Sequence, residues 1–221
     1  VLASTGSNCT REALRLSRHA QKAGADGVLL VNPYLNTPNQ KGLYLHFRTI
    51  AEEINIPCVL LNLKEQTNVN LNATTLLKLV KACPNIVGIC EVGKNLDLAT
   101  EFLSLKDPSV SVLIGKDDQA IDFIQMGGNG LLSMAANIVP SKMIQMIQTA
   151  FNKDYKTAES IKAELSNLFK ILRLKPDPVP VKTLLSHMKL CEESFRLPIC
   201  GFDDRQFEDS IINIIKELKL E

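Results

Sequence analysis

The feature that most constrains the fold is an alternation of short apolar runs with longer amphipathic segments over the first part of the chain. The apolar runs are rich in Val, Ile and Leu, as expected for strands that are buried on both faces. The segments between them have the helical period. The alternation therefore predicts an α/β fold with a parallel sheet and crossover helices. The predicted strands are residues 1–3, 27–31, 58–61, 87–89, 110–114 and 130–134.

The predicted helices between the strands begin with one that starts at Thr10, as the N-cap, and ends near Gly24. The others cover residues 38–54, 73–82, 96–105 and 117–126. After residue 134 only helices are predicted, over residues 141–152, 157–174, 181–190 and 204–218, with the proline-rich stretch 175–180 as a non-helical connector. We therefore expect an α/β part at residues 1–139 and a helical region at residues 140–221.

The number of strands leaves two architectures to weigh. A closed (β/α)8 barrel needs eight strands and about 250 residues, whereas the chain has 221 residues and six predicted strands. An open doubly wound sheet is possible, but such folds usually carry a glycine-rich first turn. Residues 4–7 (STGS) contain one glycine and are not such a turn.

Composition excludes several classes of function. With 25 basic and 24 acidic residues and a net charge of +1, the chain shows no preference for nucleic acid or for an anionic membrane surface. The near-zero net charge slightly favours self-association. No apolar run is long enough to cross a membrane and no signal peptide is evident, so a cytoplasmic location is expected. The six cysteines are scattered, which predicts free thiols and no metal site. We expect His19, His46 and His187 on helix surfaces.

A set of ordered motifs resembles the dihydrodipicolinate synthase and N-acetylneuraminate lyase family. Residues 31–38 (VNPYLNTP) are similar to its x-T-P-Y-Y-N-x-P segment, and residues 57–62 (PCVLLN) to a strand that usually ends in L-Y-N. Residues 85–91 (NIVGICE) resemble the strand bearing G-I-K-E. Further matches are residues 3–13, 42–47, 116–118, 127–130, 135–137, 176–182 and 196–198.

The resemblance implies a (β/α)8 TIM barrel of the class I aldolase type with a C-terminal helical region. The six strands correspond to strands three to eight of the barrel, so residues 1–139 are expected to form a partial barrel that lacks its first two βα units. The start of the sequence inside a strand favours an N-terminal truncation, and we expect two open sheet edges.

The resemblance also places the catalytic positions. Cys90 stands where the family has its Schiff-base lysine, Leu61 where it has the proton-relay tyrosine, and Leu35 where it has a second tyrosine that reaches a neighbouring subunit. The substrate-binding positions correspond to Gln66, Thr67, Lys116 and Leu132, with Gln66 replacing an arginine and Lys116 a glycine. Because a thiol cannot form the imine and a leucine cannot transfer protons, these substitutions predict an inactive homologue.

Two alternatives to an inactive homologue remain open, and the first is an active enzyme. Lys116 or Lys64, at carboxyl ends of strands, could be a relocated Schiff-base lysine, and Lys94 is a weaker candidate; the simpler interpretation is a solvated loop lysine. An active pyruvate-dependent lyase or synthase would follow from such a relocation. No metal or organic cofactor is implied by the resemblance, since Schiff-base chemistry uses none.

A third possibility is a non-catalytic subunit that binds an effector or assembles with other subunits. Asn8, Glu12 and Tyr34 match positions that bind lysine at a subunit interface in synthases of the family; alternatively, they only form a turn, a helix start and a packing contact. The ancestral activity implied by the resemblance is the condensation of pyruvate with aspartate semialdehyde in lysine biosynthesis. Expected partners are pyruvate or another keto acid if the chain is active, and a homo-oligomer or a paralogue.

Overall fold

The computed structural model describes residues 1–93, 96–105, 107–201 and 204–220, and within them six strands form one sheet in chain order. The first five strands pair in parallel, each with the next. The α/β fold with a parallel sheet predicted from the sequence is confirmed, and it is consistent with part of a TIM barrel. The strands are β1 (Leu2–Ser4), β2 (Gly27–Val31), β3 (Cys58–Asn62), β4 (Ile86–Glu91), β5 (Ser111–Ile114) and β6 (Gly130–Leu131).

Helices follow the strands, and only helices follow β6 in the described part of the chain. No described helix has the length and apolar character that crossing a membrane would require. The α-helices are α1 (Thr10–Lys22), α2 (Gln40–Ala51), α3 (Lys64–Thr67), α4 (Ala73–Ala82), α5 (Asp97–Ser104), α6 (Ala120–Gln125), α7 (Pro140–Phe151), α8 (Tyr155–Glu164), α9 (Ser166–Ile171), α10 (Val179–His187) and α11 (Arg205–Leu218). Two 3₁₀ turns cover Asp117–Gln119 and Ala135–Asn137.

The chain divides into two compact units. The first comprises Val1–Gly115 and Met126–Gly130, and the second comprises Lys116–Gln125 and Leu131–Glu221. The division at residue 139 expected from the sequence stays a prediction.

The core of the first unit lies on one face of the sheet. Leu30, Leu60 and Ile89 are in register on three neighbouring strands and are fully buried. Burying a side chain of this size stabilises the fold by roughly 1.5–3 kcal/mol. Helices α1, α2 and α4 contribute further fully buried side chains, among them Phe47 and Leu76. This layer fixes the sheet from which the candidate site is built.

The second unit has a helical core of its own. Met146, Leu165, Leu168, Leu184 and Ile211 are fully buried and belong to one apolar cluster. The single helix predicted for residues 157–174 is two helices, α8 and α9, because Leu165 has a ψ of −1° that interrupts the helical backbone. Its side chain is fully buried at this break.

Several predicted boundaries were wrong, for identifiable reasons. Cys9 and not Thr10 is the N-cap of α1, and Thr10 is its first residue; the end near Gly24 is confirmed by a φ of +85° there. Strand β6 ends at Leu131 and not at residue 134, because Ser133 Oγ accepts a hydrogen bond from Ala136 N at 2.9 Å and begins a turn. Helix α10 includes Pro180, which the first turn of a helix tolerates.

His46 is buried, with 5% of its surface exposed, and does not lie on a helix surface as predicted. It belongs to α2, and its Nδ1 lies 2.9 Å from Thr10 Oγ1 at the start of α1. Its Nε2 has no hydrogen-bond partner among the residues that the structure describes. Burial lowers the pKa of His46 to about 4, so this side chain is neutral at neutral pH.

Candidate functional site

Four side chains form an in-register row at the carboxyl ends of β2 to β5. Val31 pairs with Leu61, Leu61 with Cys90, and Cys90 with Leu113. Paired residues of neighbouring strands point to the same face of a sheet. We call Val31, Leu61, Cys90 and Leu113 the apolar row. Three of its members are aliphatic and the fourth is a thiol, so the row offers neither an amine nor a hydroxyl group.

Cys90 is the buried centre of this row. Its side chain is fully buried, and burial raises the pKa of the thiol to about 12, with a smaller contribution from the charge of Glu91. The thiolate is the nucleophilic form of cysteine. Because the thiol stays protonated at neutral pH, Cys90 behaves as a small hydrophobic side chain.

The opposite face carries polar side chains at the same level of the sheet. Asn32, Asn62 and Glu91 each follow a member of the apolar row, and they are 0%, 0% and 2% exposed. Asn32 Nδ2 donates to Asn62 Oδ1 at 2.5 Å, and Asn62 Nδ2 donates to Glu91 Oε2 at 2.5 Å. We call these three residues the polar ladder. Since buried polar groups are costly without partners, the ladder depends on these bonds.

Further hydrogen bonds tie the polar ladder to its loops, while Asn32 Oδ1 has no hydrogen-bond partner among the described residues. Leu71 N donates to Asn62 Oδ1 at 2.9 Å, and Gly93 N donates to Glu91 Oε1 at 2.6 Å. Asn62 Nδ2 also donates to Asn70 Oδ1 at 3.1 Å. The ladder thereby fixes the loops that leave β3 and β4. The ladder was not predicted from the sequence, although each of its residues directly follows a buried apolar run and this position is a signal for it.

The loop after β3 holds two predicted substrate-binding positions. Gln66 is exposed on the short helix α3. Thr67 is 1% exposed, and its Oγ1 donates to Leu63 O at 2.9 Å and to Val69 O at 3.1 Å. These bonds give Thr67 a role in shaping the loop. Asn68 ends the helix in the left-handed conformation, with a φ of 58°.

Lys116 and Leu132, the other two predicted substrate-binding positions, belong to the second unit. Leu132 is 40% exposed. Lys116 directly precedes Asp117, whose carboxylate accepts hydrogen bonds from Ser133 Oγ and, at 3.4 Å, from Ala135 N. Burial raises the pKa of Asp117, while these hydrogen bonds oppose the rise. Lys94 lies outside the residues that the structure describes.

Two of the three predicted effector positions, Asn8 and Tyr34, lie in loops that are joined by a hydrogen bond. Asn36 Nδ2 donates to Asn8 O at 2.9 Å, and Asn36 N donates to Tyr34 O at 2.9 Å. This contact brings the segments of Asn8 and Tyr34 together. Glu12, in the first turn of α1, is paired with Arg15 at 2.6 Å, and the hydrogen bond from Arg15 lowers the pKa of its carboxyl group.

Leu35, the remaining predicted catalytic position, has a φ of 73° and is 87% exposed. An exposed leucine in this backbone conformation is uncommon. The side chain therefore projects from the chain and takes no part in the apolar row.

In the described ranges, no group of three or more His, Cys, Asp or Glu residues is placed to hold a metal ion. The chemistry available to the site comes from the two faces of the sheet. One face presents the apolar row and the other presents a fixed carboxylate among amides.

Comparisons with known proteins all identify the same family. A family model described as "Dihydrodipicolinate synthetase family" matches residues 1–217. A 4-hydroxy-tetrahydrodipicolinate synthase from Endomicrobium trichonymphae is 41% identical over 204 residues, which are 92% of this chain and 70% of that protein. The enzyme of that name from Aquifex aeolicus is 37% identical over 220 residues, 100% of this chain and 74% of its own length.

Solved structures agree with the sequence comparison. The crystal structure of dihydrodipicolinate synthase from Aquifex aeolicus superposes with a TM-score of 0.96 at 37% identity, covering 100% of this chain and 75% of that one. The crystal structure of the synthase from Cyanidioschyzon merolae with lysine bound gives a TM-score of 0.95 at 30% identity, covering 100% and 74%. The family resemblance inferred from the sequence is confirmed.

Proposed function

Because the chain belongs to the dihydrodipicolinate synthase family, we propose that it is a member that does not catalyse the Schiff-base condensation of pyruvate. The proposal rests on Cys90 standing at the position that corresponds to the family's catalytic lysine. The apolar row is the observation that supports it most directly, since Cys90 is fully buried between Leu61 and Leu113.

Schiff-base condensation needs an amine and a proton relay, and the apolar row provides neither. A lysine amine adds to the keto carbon of pyruvate and loses water as the imine forms, and the imine then accepts electrons from the neighbouring carbon. A thiol adds to the same carbon only as far as a hemithioketal and yields no enamine. Leu61 provides no proton relay, because an isobutyl group has no acid–base function.

The experiment that tests the proposal is a condensation assay with pyruvate and aspartate semialdehyde. The purified chain is compared with a synthase of the family at equal concentration, and product formation is followed directly. We expect turnover at the level of the buffer blank. Turnover that is lost in a Lys116→Met or a Lys64→Met variant would instead support the relocated lysine.

A second candidate is an effector-binding or assembling subunit. The hydrogen bond between Asn36 and Asn8 supports it, because it brings together two of the three positions at which the family resemblance places lysine. The structure of the Cyanidioschyzon merolae relative contains bound lysine. The exposed Leu35 supports contact with a second copy or with a paralogue.

Lysine titration by calorimetry tests the effector function. Binding that is weakened by Tyr34→Ala and by Asn8→Ala would support it, and no heat of binding at millimolar lysine would exclude it. Assembly is tested separately, by measuring the molar mass in solution for the wild-type chain and for Leu35→Asp. A mass that equals one chain for both would count against assembly.

A further inference from the structure

An apolar groove of about 370 Å³ lies between the edge strand β1 and helix α1, within the first unit. In the described sheet β1 pairs with β2 alone, and an edge of this kind is usually covered. Just after α1, Gly24 faces open space, since a Cβ atom at this position would contact nothing within 4 Å among the described residues. The groove walls are mostly small side chains, which lets the backbone of another helix come close to α1. The residues that form them include Ala3, Leu16, Ala20, Ala23, Gly24 and Ala25.

The exposed face of α1 carries four cationic side chains. They are spaced by four, three and four residues, which places them on the same face of the helix. They are Arg11, Arg15, Arg18 and Lys22, and we call them the basic stripe. Glu12 pairs with Arg15 at 2.6 Å. Glu53 pairs with Arg18.

Two cations of the basic stripe are left for a partner. Lys22 forms no ion pair with any residue that the structure describes. Arg11 forms no such pair either, and it attracts Glu12 only from a longer distance. Asp26, just before β2, is already paired with the amino group of Val1. The stripe and its two glutamates therefore keep a net charge of +2.

The basic stripe borders the groove through His19. This residue lines the groove. Arg15 precedes it by four positions and Lys22 follows it by three, so both are its neighbours on the helix surface. One rim of the groove is therefore cationic, while its floor is apolar.

We propose that this groove binds an amphipathic α-helix of another polypeptide, with acidic residues along one flank. The apolar face of that helix packs on the small side chains of the groove, and its acidic flank lies along Arg15 and Lys22. Charge complementarity selects this partner, because a basic helix or the α1 of a second copy would bring like charges together. The proposal does not rest on the proposed function.

The test uses two synthetic peptides of about 15 residues, a length that allows a helix to form in water. They share one face of leucine and alanine at helical spacing, and their flank carries glutamate in one and lysine in the other. Affinity for the full chain is measured by fluorescence anisotropy, after circular dichroism has shown equal helix content.

We expect the glutamate peptide to bind at least about tenfold more tightly than the lysine peptide at low salt, since several weak ion pairs are exchanged for repulsion. The preference should shrink at high salt, because exposed charges are screened. The net charge of the chain is only +1, so a preference of this size reports the local charge of the groove rim.

Two variants separate the apolar part of the groove from its charge. Ala23→Trp fills the groove at an exposed position without a change of charge, and it should weaken the glutamate peptide by about tenfold or more. Lys22→Glu should weaken the glutamate peptide and strengthen the lysine peptide. Lys41→Glu, the same charge change at an exposed position of α2, is the matched control and should leave the preference as it is.

Three peptide results would overturn the proposal. They are the absence of binding of the glutamate peptide up to about 1 mM, equal affinity for the two peptides, and a glutamate peptide that is insensitive to Ala23→Trp. Two further results would assign the surface to another occupant. Self-association of the chain that is lost in Ala23→Trp would indicate a second copy, and cosedimentation with phosphatidylserine vesicles that is lost in Lys22→Glu, without peptide binding, would indicate a membrane surface.

Discussion

Asn62 lies directly opposite Glu91 in the ladder between β3 and β4, and its Nδ2 donates a hydrogen bond to Glu91 Oε2 at 2.5 Å. One residue earlier on the same strands, Leu61 lies opposite Cys90. The two pairs point to opposite faces of the sheet. The end of this strand pair therefore keeps a bonded polar face and has an apolar face where the family resemblance places the chemistry.

Replacing Asn62 by alanine is expected to destabilise the fold by about 3 kcal/mol, because Glu91 and the amide of Leu71 then stay buried with fewer partners. The free energy of unfolding is measured by urea titration. Lys41→Ala, at an exposed position, should change it by less than about 0.5 kcal/mol. A loss for Asn62→Ala as small as that of the control would show that the ladder contributes little.

Replacing Cys90 by alanine should lower the stability of the fold only slightly, whereas replacing it by lysine should lower it strongly. We expect Cys90→Ala to cost about 1 kcal/mol, the loss of a small buried group. Cys90→Lys should cost about 3 kcal/mol or more, since it places an amine between aliphatic side chains. Unfolding curves of the two variants, recorded under the same conditions, check this; equal stability would mean that the position is open to water.

Thiol labelling should divide the six cysteines into two classes. Cys9, Cys191 and Cys200 are exposed, whereas Cys58, Cys83 and Cys90 are buried, and burial raises the pKa of each buried thiol. We expect iodoacetamide to modify only the exposed class in the folded chain at about pH 8, because the thiolate is the reactive form. Peptide mapping by mass spectrometry identifies the labelled sites, and all six should react after unfolding in urea. Rapid native labelling of Cys90 would contradict its placement.

His46 should make the fold less stable in acid. Its pKa in the folded chain is about 4, below the ordinary value of 6.5, so the unfolded chain binds more protons between these values. Stability is then complete above about pH 6.5 and falls as the pH drops towards 4, by up to about 3 kcal/mol. In His46→Gln this part of the slope should disappear. Leu45→Gln, an exposed change on the same helix, should keep it, and an unchanged slope in His46→Gln would refute the assignment.

The first five strands could be predicted because a buried parallel strand needs a continuous apolar run, and such runs are visible in the sequence. Strand β6 could not be bounded, since Leu132 to Met134 are also apolar or small and only the contacts of Ser133 end the strand. His46 was misplaced because the sequence does not show which face of α2 packs on α1.

The candidate site was predicted in part. Motif order placed Cys90 and Leu61 at strand ends, and the structure puts them opposite each other. The polar ladder was missed because Asn32 and Asn62, at the ends of apolar runs, look like the first residues of loops. Their mutual burial depends on strand register, which a single sequence does not determine.

Whether this chain forms a Schiff base with pyruvate is measured by its intact mass after incubation with pyruvate and borohydride, beside a synthase of the family as the positive control. The reduction traps any imine as a stable amine, so it reports Schiff-base formation independently of turnover. We expect an unchanged mass for this chain and a reduced pyruvyl adduct on the control. A stoichiometric adduct on this chain, mapped by peptide sequencing to Lys116, Lys64 or another lysine, would contradict this expectation.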